Sequence, residues 1–340
     1  MTGTANAQSN LLSQVEVELV VPVFNEAPRI GPFASAVTAA LKEADFAWSA
    51  LFVDDGSRDQ SLEAIRGLAA KDRRFRGLSL SRNFGKEAAI AAGLRRAASD
   101  AVIVMDCDLQ HPPEIILKFV EAWRAGALVV FGQRQNRVGE GLMRRTLSRL
   151  FYLIFRLLSE TSLPEGAIDF VLLDRRAVDA FNLLGERTRF TKGLFAWIGF
   201  RSALVPVPIA ARGGGGSRFG FARLGRFALD GLSSFSSLPL KVWSYVGVLI
   251  STIALLYGLA FLAETLIYGI DVPGFPSLIV SIMFFSGVQL ISLGVIGEYL
   301  ARVYGEVKGR PLFLIAEEIG QTLADREASQ VERALRSGDG

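Results

Sequence analysis

Ala101-Val102-Ile103-Val104-Met105-Asp106-Cys107-Asp108 decides the fold: five apolar residues, the length of a buried strand, run into two carboxylates at i and i+2. A carboxylate pair at an open strand end can hold Mg2+ or Mn2+. These cations take one or two protein carboxylates and complete their shell with water and phosphate oxygens, so a metal here could neutralise a diphosphate.

Working outward, residues 17–21, 50–53, 77–80 and 128–131 form further short apolar runs, with helical spacing between them. Strands alternating with helices predict an α/β fold with a mostly parallel sheet. The first four runs end in polar residues: Asn25-Glu26, Asp54-Asp55-Gly56-Ser57, Arg82-Asn83 and the acidic triplet. Open α/β sheets bind ligands beyond the carboxyl ends of their strands, so these clusters are expected to converge on one cleft. Ser57 or Asp59 is suited to cap the following helix. Asp54 and Asp55 are then left to accept hydrogen bonds from a base N–H or a ribose hydroxyl. No G-x-G-x-x-G follows the first strand and no G-x-x-x-x-G-K-[ST] occurs, which argues against a dinucleotide site and a P-loop. The expected cleft holds a nucleotide with a metal in place of a glycine cradle.

Half of the 340 residues (50%) are hydrophobic and the mean hydropathy is +0.34, so a membrane part is expected beside a soluble one. The 37 basic residues nearly match 34 acidic ones, which gives no case for a nucleic-acid partner. The single cysteine, Cys107, excludes an intrachain disulfide and fits a reducing cytoplasm. Between two aspartates it reads as a small buried residue rather than a nucleophile. Residues 1–14 lack a basic n-region and an apolar h-region, and read as a disordered tail rather than a signal peptide. His111, ahead of Pro112-Pro113, reads as a turn residue.

Residues 242–263 are uncharged, and their 22 positions at about 1.5 Å each span about 33 Å, enough for a hydrocarbon core of about 30 Å. Residues 272–297 are likewise uncharged and end at Glu298-Tyr299-Leu300-Ala301-Arg302. Lys241 precedes the first span and Arg302, Lys308 and Arg310 follow the second, while the connection carries acids only, so both ends are expected in the cytoplasm. Residues 143–158 and 221–235 place apolar residues on one helical face and arginines on the other, as interfacial helices do. Between them, Arg212-Gly213-Gly214-Gly215-Gly216-Ser217-Arg218 is either a flexible linker or a mobile basic loop that closes over a phosphate. The expected division is a tail (1–14), a catalytic domain (15–212), a basic loop with an interfacial helix (213–240), two transmembrane helices (241–303) and a C-terminal tail (304–340).

Four stretches together resemble the family 2 glycosyltransferases of GT-A fold, and within them the polyprenyl-phosphate sugar synthases, bactoprenol glucosyltransferases included. They are Val20-Val21-Pro22-Val23-Phe24-Asn25-Glu26, Val53-Asp54-Asp55-Gly56-Ser57, Ser81-Arg82-Asn83-Phe84-Gly85-Lys86 and Asp106-Cys107-Asp108-Leu109-Gln110-His111-Pro112-Pro113-Glu114. The similarity continues through Gly132-Gln133-Arg134, Asp169-Phe170-Val171-Leu172, Lys192-Gly193 and Trp197-Ile198-Gly199 into the apolar segments. It implies that Pro22, Asn25, Glu26, Asp54, Asp55 and Asp106 meet the nucleotide. Asp106, Asp108 and Gln110 would handle Mg2+ or Mn2+ and the diphosphate. Arg134, Arg212 and Arg218 are candidates for the phosphates, and Asp108 and Asp169 for catalytic roles. Asp169 is expected to position Arg175 or another cation more than to move a proton.

Family members commonly carry arginine where this chain has Val171, and lysine where it has Arg218. The reaction implied is inverting transfer of one sugar from a nucleotide diphosphate sugar, UDP-hexose before GDP-mannose, to a polyprenyl phosphate at the cytoplasmic face of the inner membrane. The protein would be multi-pass in the lipid bilayer, with homo-oligomerisation left open. The alternatives are a processive polysaccharide synthase, disfavoured because Gln-x-x-Arg-Trp is absent, and a non-catalytic scaffold, against which the intact acidic strand ends speak.

Overall fold

The computed structural model describes residues 15–134, 164, 166–186, 189–208, scattered positions between 247 and 267, and 274–320. Five strands fall on the five apolar runs: β1 (Glu16–Val23), β2 (Ala47–Asp54), β3 (Phe75–Leu80), β4 (Ala101–Val104) and β5 (Val129–Arg134). Between them lie α1 (Ala27–Ala40), α2 (Ser61–Lys71), α3 (Lys86–Arg96) and α4 (Ile115–Arg124). β6 (Ala167–Asp174), α5 (Arg175–Leu183), α6 (Thr191–Trp197) and β7 (Ser202–Val207) follow. α7 (Phe275–Val307) and β8 (Ile315–Ile319) complete the described chain.

All eight strands join one sheet in the order β7-β5-β6-β4-β1-β2-β3-β8. The central β3-β2-β1-β4 block is parallel, whereas β6 pairs antiparallel with both β4 and β5. Strands covered on both faces need side chains apolar on both faces, which is why β1 and β4 read as continuous apolar runs. Leu19, Val20, Val21, Val102 and Ile103 are completely buried. α3 packs against β1 through Gly93, where an added Cβ would lie 2.3 Å from Val20 Cγ1. One ion pair interrupts this apolar interior, between Glu18 of β1 and Arg76 of β3.

Two compact units divide the chain. The first contains the sheet and takes in residues 310–340; the second contains 154–160 and 219–309. The C-terminal region is therefore not a plain tail. Ile315–Ile319 is an edge strand, antiparallel to β3, and Ser81 N–H donates to Leu314 O at 2.9 Å. Arg66 of α2 pairs with Glu317 and Arg96 of α3 with Glu318, fixing the strand through its polar residues.

α7 differs from the expected span in its limits. It runs through Glu298 and Arg302 and ends ten residues beyond Gly297, where Gly309 adopts φ 63° just after the C-cap Lys308. Glu298 and Arg302 are spaced i,i+4 and are compatible with a continuing helix; a left-handed glycine is what stops one. Phe284–Val307 is long and apolar enough to cross a membrane, and none of its most apolar window is buried. Leu290 and Leu300 are 71% and 64% exposed, unlike side chains of a soluble core helix. This is the single such helix among the described residues. Most of the first expected span, both interfacial helices, the 212–218 loop and residues 1–14 lie outside the described residues.

Candidate active site

The carboxyl ends of β1, β2, β3 and β4 carry the four polar clusters. At the end of β1, Asn25 adopts φ 55°, and its backbone N–H donates to Ser57 Oγ at 2.9 Å while its Oδ1 accepts Arg58 N–H at 2.8 Å. Asp59 serves two helices: Oδ1 accepts Ser61 N–H at the start of α2, and Oδ2 accepts Ala27 N–H at the start of α1. Ser57 is thus a tie between strand ends rather than a helix cap. Pro22 is a half-buried residue of β1, and Glu26 pairs with Arg29 at 2.6 Å.

Asp54 and Asp55 are both buried. Asp54 accepts from Ser57 N–H and Ser79 Oγ, and Asp55 accepts from Phe84 N–H at 2.7 Å and Gly85 N–H at 2.8 Å. Burial pushes the Asp55 carboxyl above the usual carboxylate range, against the pull of those two N–H groups. The pair therefore builds the wall of the cleft, each carboxylate already engaged. Gly56, at φ 66°, lets this loop touch the next one: an added Cβ would lie 2.5 Å from the carbonyl carbon of Arg82.

Extending the antiparallel register beyond Val104–Val171 by two residues brings Asp106 opposite Asp169. Like charges facing each other across a ladder repel, so a cation is required between them. Lys86, the first residue of α3, supplies it. Its ammonium lies 2.7 Å from Asp106 Oδ1 and 3.4 Å from Asp169 Oδ2. Lys192 of α6 holds the other oxygen of Asp169 at 2.9 Å and donates to Ala167 O at 3.0 Å. Burial works to raise the Asp169 carboxyl, but Lys192 and Lys86 outweigh it and hold the group below the usual range. Beside them Glu87, raised by burial, accepts from Thr191 N–H and Oγ1 and so ties α3 to α6.

Sequence reasoning missed the two lysines as site residues, although both stood in quoted motifs. For Lys86 the available signal was its position at a helix start directly beyond a strand end; Lys192 stands in the first turn of α6, which follows a helix, and had no such signal. Arg175, the expected partner of Asp169, turns instead to Asp179 and the Ala97 carbonyl. Val171 is 1% exposed, inside the sheet between Val104 and Phe131, so this position adds no cation to the cleft.

Asp108 is half-buried, with its Oδ1 accepting Gln110 N–H at 3.0 Å across a turn in which Leu109 adopts φ 56°. Cys107 between the aspartates is buried, and burial together with Glu26, Asp106 and Asp108 pushes its thiol up to about 12, inert as expected. His111 stacks on Phe170 at 5.7 Å in the turn before α4. Arg134 is the exposed last residue of β5, and Arg212 and Arg218 lie outside the described residues.

No group of three or more His, Cys, Asp or Glu is gathered as a metal site among the described residues. Asp106 nevertheless already holds a cationic group, and Asp108 follows two residues on in the same open turn. This donor set fits a hard cation that takes two carboxylates from the protein and its remaining oxygens from water and a diphosphate.

Residues 18–181 match the family model described as Glycosyl transferase family 2. An uncharacterized glycosyltransferase of Synechocystis is 43% identical over 89% of this chain and 95% of its own length. The SfII prophage-derived bactoprenol glucosyl transferase of Shigella flexneri is 42% identical over 88% of this chain and 97% of its own. Among solved structures, a mannosyltransferase from Pyrobaculum calidifontis in complex with GDP-Man and Mn2+ is similar at 15% identity and a TM-score of 0.46, over 91% of this chain and 95% of that one.

Proposed function

The chain belongs to glycosyl transferase family 2, and from that premise we propose that it transfers one sugar from a nucleotide diphosphate sugar to a polyprenyl phosphate. It is a glycosyltransferase with the α/β GT-A fold. The acceptor assignment is carried by the identity to a bactoprenol glucosyl transferase over nearly that protein's whole length. UDP-hexose is the favoured donor class, in keeping with that relative's glucosyl name.

The nucleotide lies over the ends of β1 and β2, against Pro22, Asn25, Glu26 and the wall built by Asp54 and Asp55. Asp106 and Asp108, with Gln110 adjoining, hold Mg2+ or Mn2+. When bound, that ion neutralises charge on the diphosphate leaving group. An oxygen of the acceptor phosphate attacks the anomeric carbon; the new C–O bond forms as the bond to the diphosphate breaks, and the departing nucleoside diphosphate keeps the electron pair. A phosphate monoester is largely dianionic at neutral pH, its second pKa being about 6, so the nucleophile needs no base. Asp169 accordingly orients Lys86 and Lys192 rather than carrying a proton. Arg134, Arg212 and Arg218 contribute further phosphate contacts.

A panel of radiolabelled nucleotide sugars with undecaprenyl phosphate tests the reading: one labelled lipid carrying one sugar is expected. A polymer product, or no lipid-linked label with any donor, would overturn it.

Gly56→Ala is expected to separate the Asp54-Asp55 loop from Arg82 and to raise the donor KM about tenfold or more, since misplacement by about 1 Å can cost on the order of 100-fold. Donor titration of the purified variant checks this. An unchanged donor KM would remove the loop from the nucleotide site.

The protein is placed in the inner membrane, multi-pass, with its catalytic domain cytoplasmic, on the asymmetry of Lys241, Arg302, Lys308 and Arg310 against Glu264 and Asp271. Single cysteines at Ser9 and Ile270 in a Cys107→Ser background are expected to be protected and labelled, respectively, from outside intact cells. The opposite pattern would reverse the topology.

A further inference from the structure

The two lysines at Asp169 are not equivalent. Lys192 is held by Asp169 and by the backbone carbonyl of Ala167, 2.9 and 3.0 Å away. Among the described residues Lys86 is held by carboxylates alone, with 2.7 Å to Asp106 Oδ1, 2.8 Å to Asp106 Oδ2 and 3.4 Å to Asp169 Oδ2. Its ammonium therefore occupies both oxygens of the strand-end carboxylate that a divalent cation would use. A divalent ion arriving at Asp106 would stand within a few ångströms of that ammonium, and the repulsion between the two cations disfavours keeping both on one carboxylate. The lysine stem is flexible and its head is a compact point charge, so the head can leave Asp106 without moving α3.

We propose that Lys86 is an exchangeable internal cation, which bridges Asp106 and Asp169 until a divalent metal takes Asp106 and then, released beside Lys192, receives the phosphate of the acceptor. The acceptor half of this inference rests on the function proposed above; the metal half does not. Before exchange, Asp106 and Asp169 cancel the charges of Lys86 and Lys192. After exchange, the two ammonium groups share a single carboxylate, and the surplus positive charge faces an incoming dianion. Metal binding thus creates the acceptor's phosphate site, and the coupling is reciprocal in binding free energy.

The decisive measurement is Mn2+ affinity of the full-length protein in nanodiscs without nucleotide, read by the electron paramagnetic resonance of free Mn2+. Lys86→Met should bind Mn2+ about 5-fold or more tightly than the wild type, because the competing cation is gone. Lys192→Met should leave Mn2+ affinity unchanged. Lys86→Gln takes the place of Lys86→Met if that variant loses its thermal unfolding transition. Unchanged or weakened Mn2+ binding in the Lys86 variant would overturn the exchange.

With undecaprenyl phosphate, Lys86→Met should raise the acceptor KM about tenfold and leave the donor KM alone; an unchanged acceptor KM would overturn the acceptor half. Wild-type protein that binds Mn2+ as described but transfers no sugar to undecaprenyl phosphate would sink the proposed function and leave the exchange standing.

Discussion

Asp108→Ala is expected to slow sugar transfer at least about 100-fold, because removing one preorganised electrostatic partner of a developing charge costs about 3 kcal/mol. The leaving group is a diphosphate, and Asp106 and Asp108 are the carboxylates that stand two residues apart at the open end of β4. Asp108 also accepts Gln110 N–H at 3.0 Å, so alanine removes a turn contact as well as a charge. Asp108→Asn separates the two effects: its amide oxygen can keep the turn, and it should remain nearly as slow as alanine. Chelation followed by gel filtration should abolish activity, and added Mg2+ or Mn2+ should restore it. A chelated, filtered enzyme of full activity would end the metal-dependent mechanism.

Arg76→Met should cost about 3–5 kcal/mol of stability, the usual penalty for leaving one partner of a buried ion pair unpaired. Glu18 is 0% exposed and Arg76 5%. Arg76 reaches from β3 across β2 to β1 and donates to Glu18 Oε1, while Glu18 Oε2 has no hydrogen-bond partner among the described residues. Without the guanidinium the carboxylate would be stranded among apolar side chains. The double variant Glu18→Met with Arg76→Met should recover most of the loss, since well-packed apolar residues often replace such pairs at no net cost. Thermal unfolding of the detergent-solubilised protein compares the three. A single variant as stable as the wild type would mean that water reaches Glu18.

β1 to β5 were legible in the sequence because parallel strands covered on both faces must be apolar throughout, and Gly, Asp and Asn mark where they stop. β8 was not legible. Ile315-Ala316-Glu317-Glu318-Ile319 carries two glutamates, a residue depleted in strands, and is held as one by Arg66 and Arg96 from distant helices. β7 includes Pro206, which lowers any strand reading. In the site, the acidic strand ends could be seen because each carboxylate follows its own strand directly. The Lys86 bridge could not, because its partners lie 20 and 83 residues away and meet only through the antiparallel return of β6. Asp54 and Asp55 were visible as acids, but their inward hydrogen bonds were not, since these depend on loops brought together by the β2-β3 register.

The return of β8 to the sheet has an arithmetic consequence. Val207 closes one strand of that sheet and Ile315 opens another, so the intervening chain is a loop that departs from a body and rejoins it. A loop of this kind pierces any partition that the body does not itself straddle an even number of times. Entries into such a partition and exits from it must therefore be equal in number between Val207 and Ile315. The last strand of the sheet is accordingly synthesised only after the whole of that intervening chain.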